Sequence, residues 1–139
     1  MECEFPTVNS KSEEIIEIFK NTKTIAIAGL SPDSSKASNM VAAYLQSVGF
    51  KIVPVYPKED VILGEKVYRT ISEIPFKIDM VDIFRKPDAI AEIVDEVIKR
   101  GDADTVWFQL GLVNNEAAAK AKEASLKVVQ NKCTKIEHR

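Results

Sequence analysis

Short apolar runs alternate along the chain with segments in which apolar residues recur every three or four positions. The runs are interpreted as strands, and they cover 24–30 (TIAIAGL), 51–56 (KIVPVY), 79–84 (DMVDIF), 105–110 (TVWFQL) and 127–131 (KVVQN). The run at 24–30 is almost uniformly apolar, which is typical of a parallel strand that helices cover on both faces. The alternation predicts βαβ units and a doubly wound α/β fold with five parallel strands.

The segment 1–22 is expected to form a helical extension that packs on a domain spanning 23–139. Its helix is predicted over 10–21, because Ser10 and Glu13 have the spacing of a capping box. Later helices are expected around the apolar stripes at 40–48 and 90–98. An alanine-rich helix is expected to begin at Asn114 or Asn115.

The bulk composition sets limits on the function. The 139 residues carry a net charge of −2, and the isoelectric point is near 5.5, so no broad basic face favours nucleic-acid binding. No apolar run approaches the ~20 residues of a membrane span, and the acidic start lacks the apolar stretch of a signal peptide. We therefore expect a cytoplasmic protein with no membrane partner. Cys3 and Cys133 lack metal-binding spacing and are expected to be reduced thiols, and no metal site is predicted.

A ligand site is expected at the carboxyl edge of the sheet, where open parallel sheets bind ligands at a switch in strand order. Four segments should converge there: 29–32, 54–58, 84–87 and 109–111. Gly29 permits a close approach of backbone to ligand, and the loop after it leads into a helix start that attracts phosphate. Cations are expected around the same rim at Lys36, Lys58, Arg85 and Lys86. The alternative is that these are ordinary solvated side chains on loops.

The same residues depart from the pattern of a nicotinamide-dinucleotide site. Such sites usually carry G-x-G-x-x-G after the first strand, and 29–34 (GLSPDS) holds a single glycine. They also place an acidic residue at the end of the second strand to bind the ribose. Lys58 stands there instead, which suits a ribose phosphate and so favours NADP or coenzyme A (CoA) over NAD.

Several short motifs occur in order and together resemble a known family. They are GLSP at 29–32 with KAS at 36–38, PVYP at 54–57, ILGEK at 62–66, DMVDIFRKP at 79–87, WFQLG at 107–111 and CTKIEH at 133–138. This set resembles the small stand-alone CoA-binding proteins related to the CoA-binding domain of succinyl-CoA synthetase. The resemblance implies a single-domain Rossmann-like fold that holds CoA across the strand ends.

The resemblance also implies roles for individual residues. Contacts to the pyrophosphate are assigned to Gly29, Leu30 and Ser31, assisted by Lys36 and Ser38. The adenosine side is assigned to Pro54, Val55, Tyr56, Pro57 and Lys58. The groove is assigned to Phe84, Arg85, Lys86 and Pro87, and its far wall to Gln109 and Gly111.

No residue is predicted to be catalytic. The related ligase needs a phosphorylated histidine on another domain, whereas the single histidine here, His138, is expected to be solvated. Asp79 and Asp82 are expected to orient loops, Trp107 to lie in the core and Cys133 to be structural. The chain is interpreted as a carrier, sensor or regulatory module for CoA or acyl-CoA. The alternatives are a small NADP-linked enzyme and a protein-interaction module with a vestigial nucleotide pocket, and a protein partner or a homodimer is left open.

Overall fold

Five parallel strands form the central sheet of the computed structural model, which describes residues 6–139. The strands are Thr24–Ala28 (β1), Lys51–Val55 (β2), Met80–Ile83 (β5), Thr105–Phe108 (β6) and Lys127–Val129 (β7). Their order in the sheet is β2-β1-β5-β6-β7. The chain therefore leaves β1 on one side and later returns to its other side, so that the strand order switches between β1 and β5.

The remaining elements cover the sheet and extend its edge. The helices are Ser12–Lys20 (α1), Ala37–Ser47 (α2), Pro87–Arg100 (α3), Asn115–Glu123 (α4) and Thr134–His138 (α5). A 3-10 turn spans Ile71–Glu73, and a small antiparallel hairpin pairs Val61–Ile62 (β3) with Glu65–Lys66 (β4). Helix α5 and the hairpin were not predicted from the sequence.

Two apolar cores lie on opposite faces of the sheet. The residues of α3 and α4 pack on one face, and those of α1 and α2 pack on the other. Neighbouring residues of β6 show why the strands are apolar on both faces: Phe108 lies in the first core and Trp107 in the second, and both are fully buried. The doubly wound, Rossmann-like fold and the core position of Trp107 are confirmed.

The predicted capping box at Ser10 is wrong. Helix α1 begins at Ser12 after Lys11, whose side chain makes no capping hydrogen bond. The Ser10 hydroxyl donates instead to the Val128 carbonyl oxygen at 2.8 Å. Because β7 is the outer strand of the sheet, its carbonyls need partners from outside the sheet, and the segment before α1 supplies one.

Helix starts elsewhere follow the predicted chemistry. Pro87 is the first residue of α3, and the Asn114 side chain accepts a hydrogen bond from the N–H of Ala117 at the start of α4. No helix within residues 6–139 has the length and apolar character needed to cross a membrane. Cys3 lies outside the described residues.

Candidate functional site

The switch in strand order brings three strand ends into direct contact. The N–H of Gly29 donates to the Val55 carbonyl oxygen at 2.9 Å, and the N–H of Phe84 donates to the Ala28 carbonyl oxygen at 2.8 Å. Gly29 has a φ of +89°, and a Cβ built there would lie 2.8 Å from the Phe84 carbonyl oxygen and 2.8 Å from Cδ of Arg85. The segments after β1, β2 and β5 therefore share one rim, and Gly29 has no room for a side chain.

A groove opens beside this contact, on the face of the sheet that α3 covers. It encloses a cavity of about 260 Å³ between the strand ends, α3 and the 3-10 turn. The lining includes Gly29, Val55, Arg69, Arg85, Glu92 and Glu96. This volume lies below the roughly 300–1,000 Å³ of sites that enclose whole drug-sized ligands. The cavity therefore suits one part of a larger molecule.

The loop after Gly29 is fastened to the start of α2. The Ser31 N–H donates to Ser38 Oγ at 3.0 Å, and Asn39 Nδ2 donates to the Ser31 carbonyl oxygen at 2.9 Å. Ser38 and Asn39 are both buried. Their side chains therefore hold the loop against the start of α2. Asn39 was missed by sequence reasoning, although a polar residue beside an apolar helical stripe is a signal of such a role.

The N-terminus of α2 is open to an anion. No side chain caps it, and its first turn contains no acidic residue, so its N–H groups and the positive end of its dipole face the loop without competition. Asp33 does not cap this helix. Its Oδ1 instead accepts hydrogen bonds from the Ser35 hydroxyl and the Ser35 N–H, and these bonds lower the pKa of the Asp33 carboxyl.

The four cations that the sequence predicted for the rim are all exposed and lie on the segments next to the strand ends. Arg85 and Lys86 follow β5, Lys58 follows β2, and Lys36 precedes α2. Among residues 6–139, none of the four forms an ion pair.

The other predicted residues of the strand ends differ in exposure. Leu30, Pro54 and Val55 are buried, Ser31, Tyr56 and Phe84 are half-buried, and Pro57 and Pro87 are exposed. Pro54 is tolerated within β2 because that strand lies at the sheet edge. Among residues 6–139, the single residue Tyr68 continues the sheet beyond β2, since its N–H donates to the Pro54 carbonyl oxygen at 3.0 Å.

The groove also has an acidic side, formed by two glutamates of α3. Glu96 is half-buried; burial raises the pKa of its carboxyl, opposed by a hydrogen bond from the Ile71 N–H. Glu92 lies one turn earlier and is exposed. Carboxylates in this position would repel a phosphate and accept hydrogen bonds from an amine. The groove thus separates an acidic wall from a basic rim.

Gln109 and Gly111 lie away from the groove lining. Gln109 is buried, and its Oε1 accepts hydrogen bonds from the Thr134 N–H at 3.1 Å and the Thr134 hydroxyl at 2.9 Å. The Gly111 N–H donates to Asn131 Oδ1 at 2.7 Å. Both side chains of the Gln109–Thr134 pair therefore tie α5 to the end of β6.

Asp82 completes this buried polar cluster. Thr134 Oγ1 lies 2.9 Å from its Oδ2, while its Oδ1 has no hydrogen-bond partner among the described residues. Burial raises the pKa of Asp82 well above its ordinary value, opposed only by the bond from Thr134.

Asp79, by contrast, orients the start of β1 as expected, because its Oδ2 accepts the N–H groups of Lys23 and Thr24 at 2.9 Å each.

The expectation that His138 is solvated is wrong. Its ring lies 5.2 Å from that of Phe19 and 5.3 Å from that of Phe50, and its Nδ1 is 2.9 Å from the Tyr44 hydroxyl. The unpredicted helix α5 carries it back onto the core.

No cluster of three or more potential metal-ligating His, Cys, Asp or Glu side chains occurs among residues 6–139.

Comparison with known proteins places this geometry in a family. A family model described as a CoA-binding domain matches residues 23–139. The chain belongs to this CoA-binding domain family. The match begins one residue before β1 and covers every strand and loop of the groove.

Other proteins resemble this chain in sequence or in fold over nearly its full length. The uncharacterized protein YneT of Bacillus subtilis is 37% identical over 130 residues, which cover 94% of this chain and 96% of YneT. The solved structure of a hypothetical protein from Pyrococcus horikoshii has a TM-score of 0.90 at 42% identity and covers 99% of this chain and 96% of that one. Both matches therefore extend over nearly the whole length of the two chains compared.

A larger relative contains the same unit as one part of its length. The ADP-forming acetate–CoA ligase of Methanocaldococcus jannaschii is 25% identical over 121 residues. The alignment covers 82% of this chain and 17% of the ligase. This chain is thus related to a minor segment of that enzyme.

Proposed function

We propose that the groove at the switch in strand order binds coenzyme A or an acyl-CoA, and that the chain acts as a carrier, sensor or regulatory module. The observation that carries the proposal is the contact between Gly29 and Arg85 beside the uncapped start of α2. It combines a backbone with no side chain, a cation and free N–H groups at one rim. Those are the features that bind a pyrophosphate.

The division of charge in the groove supports an orientation for the ligand. The adenine ring carries an amine that can donate to a carboxylate, so it suits the cavity beside Glu92 and Glu96. The phosphates suit the basic rim and the loop after Gly29. Membership of the CoA-binding family and similarity to an acetate–CoA ligase support CoA as the ligand.

Equilibrium titration by calorimetry tests the proposal directly. CoA, acetyl-CoA, NADP and ATP are compared at one ionic strength, and we expect the CoA species to bind most tightly. Mass spectrometry of small molecules released from protein purified from cells gives an independent readout. Tighter binding of NADP than of either CoA species would favour an NADP-linked enzyme, and no binding of any of them would favour a protein-interaction module.

Arg85→Ala is expected to weaken CoA binding by about 1–3 kcal/mol, because it removes a charge-assisted hydrogen bond to a phosphate. The matched control is Lys99→Ala, which removes a cation from the opposite end of α3. We expect the control to bind CoA as the unaltered protein does. Equal affinities for all three proteins would show that Arg85 is a solvated loop residue.

A further inference from the structure

Arg69 stands out in the groove because one of its nitrogens holds an entire loop. Its Nη1 donates to the carbonyl oxygens of Tyr56 at 3.1 Å, Lys58 at 3.0 Å and Glu59 at 2.7 Å. These residues follow the end of β2. These hydrogen bonds therefore fix the guanidinium and the loop relative to each other.

The rest of the guanidinium remains available. Its Nη2 has a single partner, Asp60, at 3.6 Å, and the Asp60 side chain is 99% exposed. Within residues 6–139, Nε has no acceptor. Nε and Nη2 together form one of the forked edges through which arginine binds a phosphate with two parallel hydrogen bonds. An exposed carboxylate at 3.6 Å is a weak competitor for that edge.

The location of Arg69 relates it to one part of a nucleotide. Its side chain lines the same cavity as Val55 and Arg85. In doubly wound folds the end of the second strand lies beside the ribose of a bound nucleotide. A fixed cation at that position would face the sugar of a nucleotide bound in this way, whereas the loop after Gly29 would face its pyrophosphate.

We propose that Arg69 is a specificity-determining residue that recognises a phosphate on the ribose of the ligand. The inference rests on the proposed function and deepens it, because it separates CoA, which carries a ribose 3′-phosphate, from dephospho-CoA, which lacks it. Because the Arg69 guanidinium is already held in place, binding of the ribose phosphate does not require a flexible side chain to become ordered.

The nearby Lys58 is the competing candidate. Its ammonium is also a cation after β2, and it forms no ion pair with any residue between 6 and 139. Both side chains are exposed, but Lys58 differs from Arg69 in that no hydrogen bond fixes its side chain among those residues. Lys58→Gln is therefore the matched control for Arg69→Gln, since each variant removes one positive charge, from Lys58 in the loop after β2 or from the arginine that is hydrogen-bonded to that loop.

The test measures the affinities of the unaltered protein, Arg69→Gln, Arg69→Lys and Lys58→Gln for CoA and for dephospho-CoA. We expect the unaltered protein to prefer CoA by about tenfold or more, as one charged bidentate contact allows. Arg69→Gln should lose most of that preference while its affinity for dephospho-CoA stays within about twofold, because the glutamine amide can still donate to a loop carbonyl. Arg69→Lys should fall between the two, and Lys58→Gln should keep the preference.

Other outcomes overturn the inference in distinguishable ways. Equal losses of both affinities in Arg69→Gln would mean that Arg69 only shapes the loop. Loss of the preference in Lys58→Gln alone would assign the phosphate to Lys58. An unaltered protein that binds both ligands equally would overturn the role of Arg69 and leave CoA binding intact. An unaltered protein that binds neither ligand would overturn the proposed function together with this inference.

Discussion

Gly29→Ala should abolish CoA binding and strongly destabilise the fold. The residue has a φ of +89°, and its new Cβ would lie 2.8 Å from the Phe84 carbonyl oxygen. The backbone conformation alone costs a residue other than glycine about 1–3 kcal/mol. The close approach to a backbone atom adds to that cost, because the strand ends after β1 and β5 must move apart. That movement would displace Arg85 and open the rim that the ligand needs.

Gly49→Ala separates these two effects. Gly49 has a φ of +101°, and no atom lies within 4 Å of a Cβ built there. It follows α2 at the edge of the sheet opposite the groove. We expect this control to lose stability through backbone strain alone and to bind CoA normally. Urea unfolding and calorimetric titration measure the two quantities, and normal CoA binding by Gly29→Ala would contradict the assigned site.

Asp82→Asn is expected to make the protein more stable than the unaltered chain at neutral pH, with a difference that grows as pH rises. The folded pKa of Asp82 is raised well above its ordinary value of 3.8 because the carboxyl is buried. The folded state therefore holds a proton that the unfolded state releases. Stability from this group is fully present below about pH 4 and is lost as pH rises toward the folded pKa, by at most about 1.4 kcal/mol per pH unit.

Hydrogen-bond geometry supports the same protonation state. The Thr134 hydroxyl lies 2.9 Å from both Asp82 Oδ2 and Gln109 Oε1, but it has one proton to donate. A protonated Asp82 can donate to the Thr134 hydroxyl, which then donates to Gln109, so both contacts are satisfied. Asparagine can donate in the same direction through its amide, and it does not titrate.

Asp79→Asn provides a control of opposite sign. Burial acts to raise the pKa of Asp79, but hydrogen bonds from Lys77 and from the N–H groups of Thr24 and Lys23 outweigh it and lower the pKa. Asp79 therefore stabilises the fold above its unfolded pKa, and its replacement should cost stability at neutral pH and little at acidic pH. Urea unfolding between pH 4 and 8 checks both variants, and parallel pH profiles for Asp82→Asn and the unaltered protein would contradict an Asp82 that stays protonated.

Local pattern determined much of the fold. A strand covered on both faces is predominantly apolar, so β1, β5 and β6 were predicted from their composition, with ends that the structure shortens by one or two residues. The position of the ligand site followed for a similar reason, because parallel strands bring their carboxyl ends to one edge whatever their order. These features depend on periodicity and on neighbours in the chain.

Tertiary structure alone decided which polar groups meet. Arg69 holds carbonyls 10 to 13 residues away, Ser10 reaches β7, and Thr134 joins Asp82 to Gln109 across three strands. Each of these bonds forms because a buried or edge group needs a partner after the strands have found their order. The sequence carries no local mark of such a need, because the partner depends on which distant segments the strand order β2-β1-β5-β6-β7 makes adjacent.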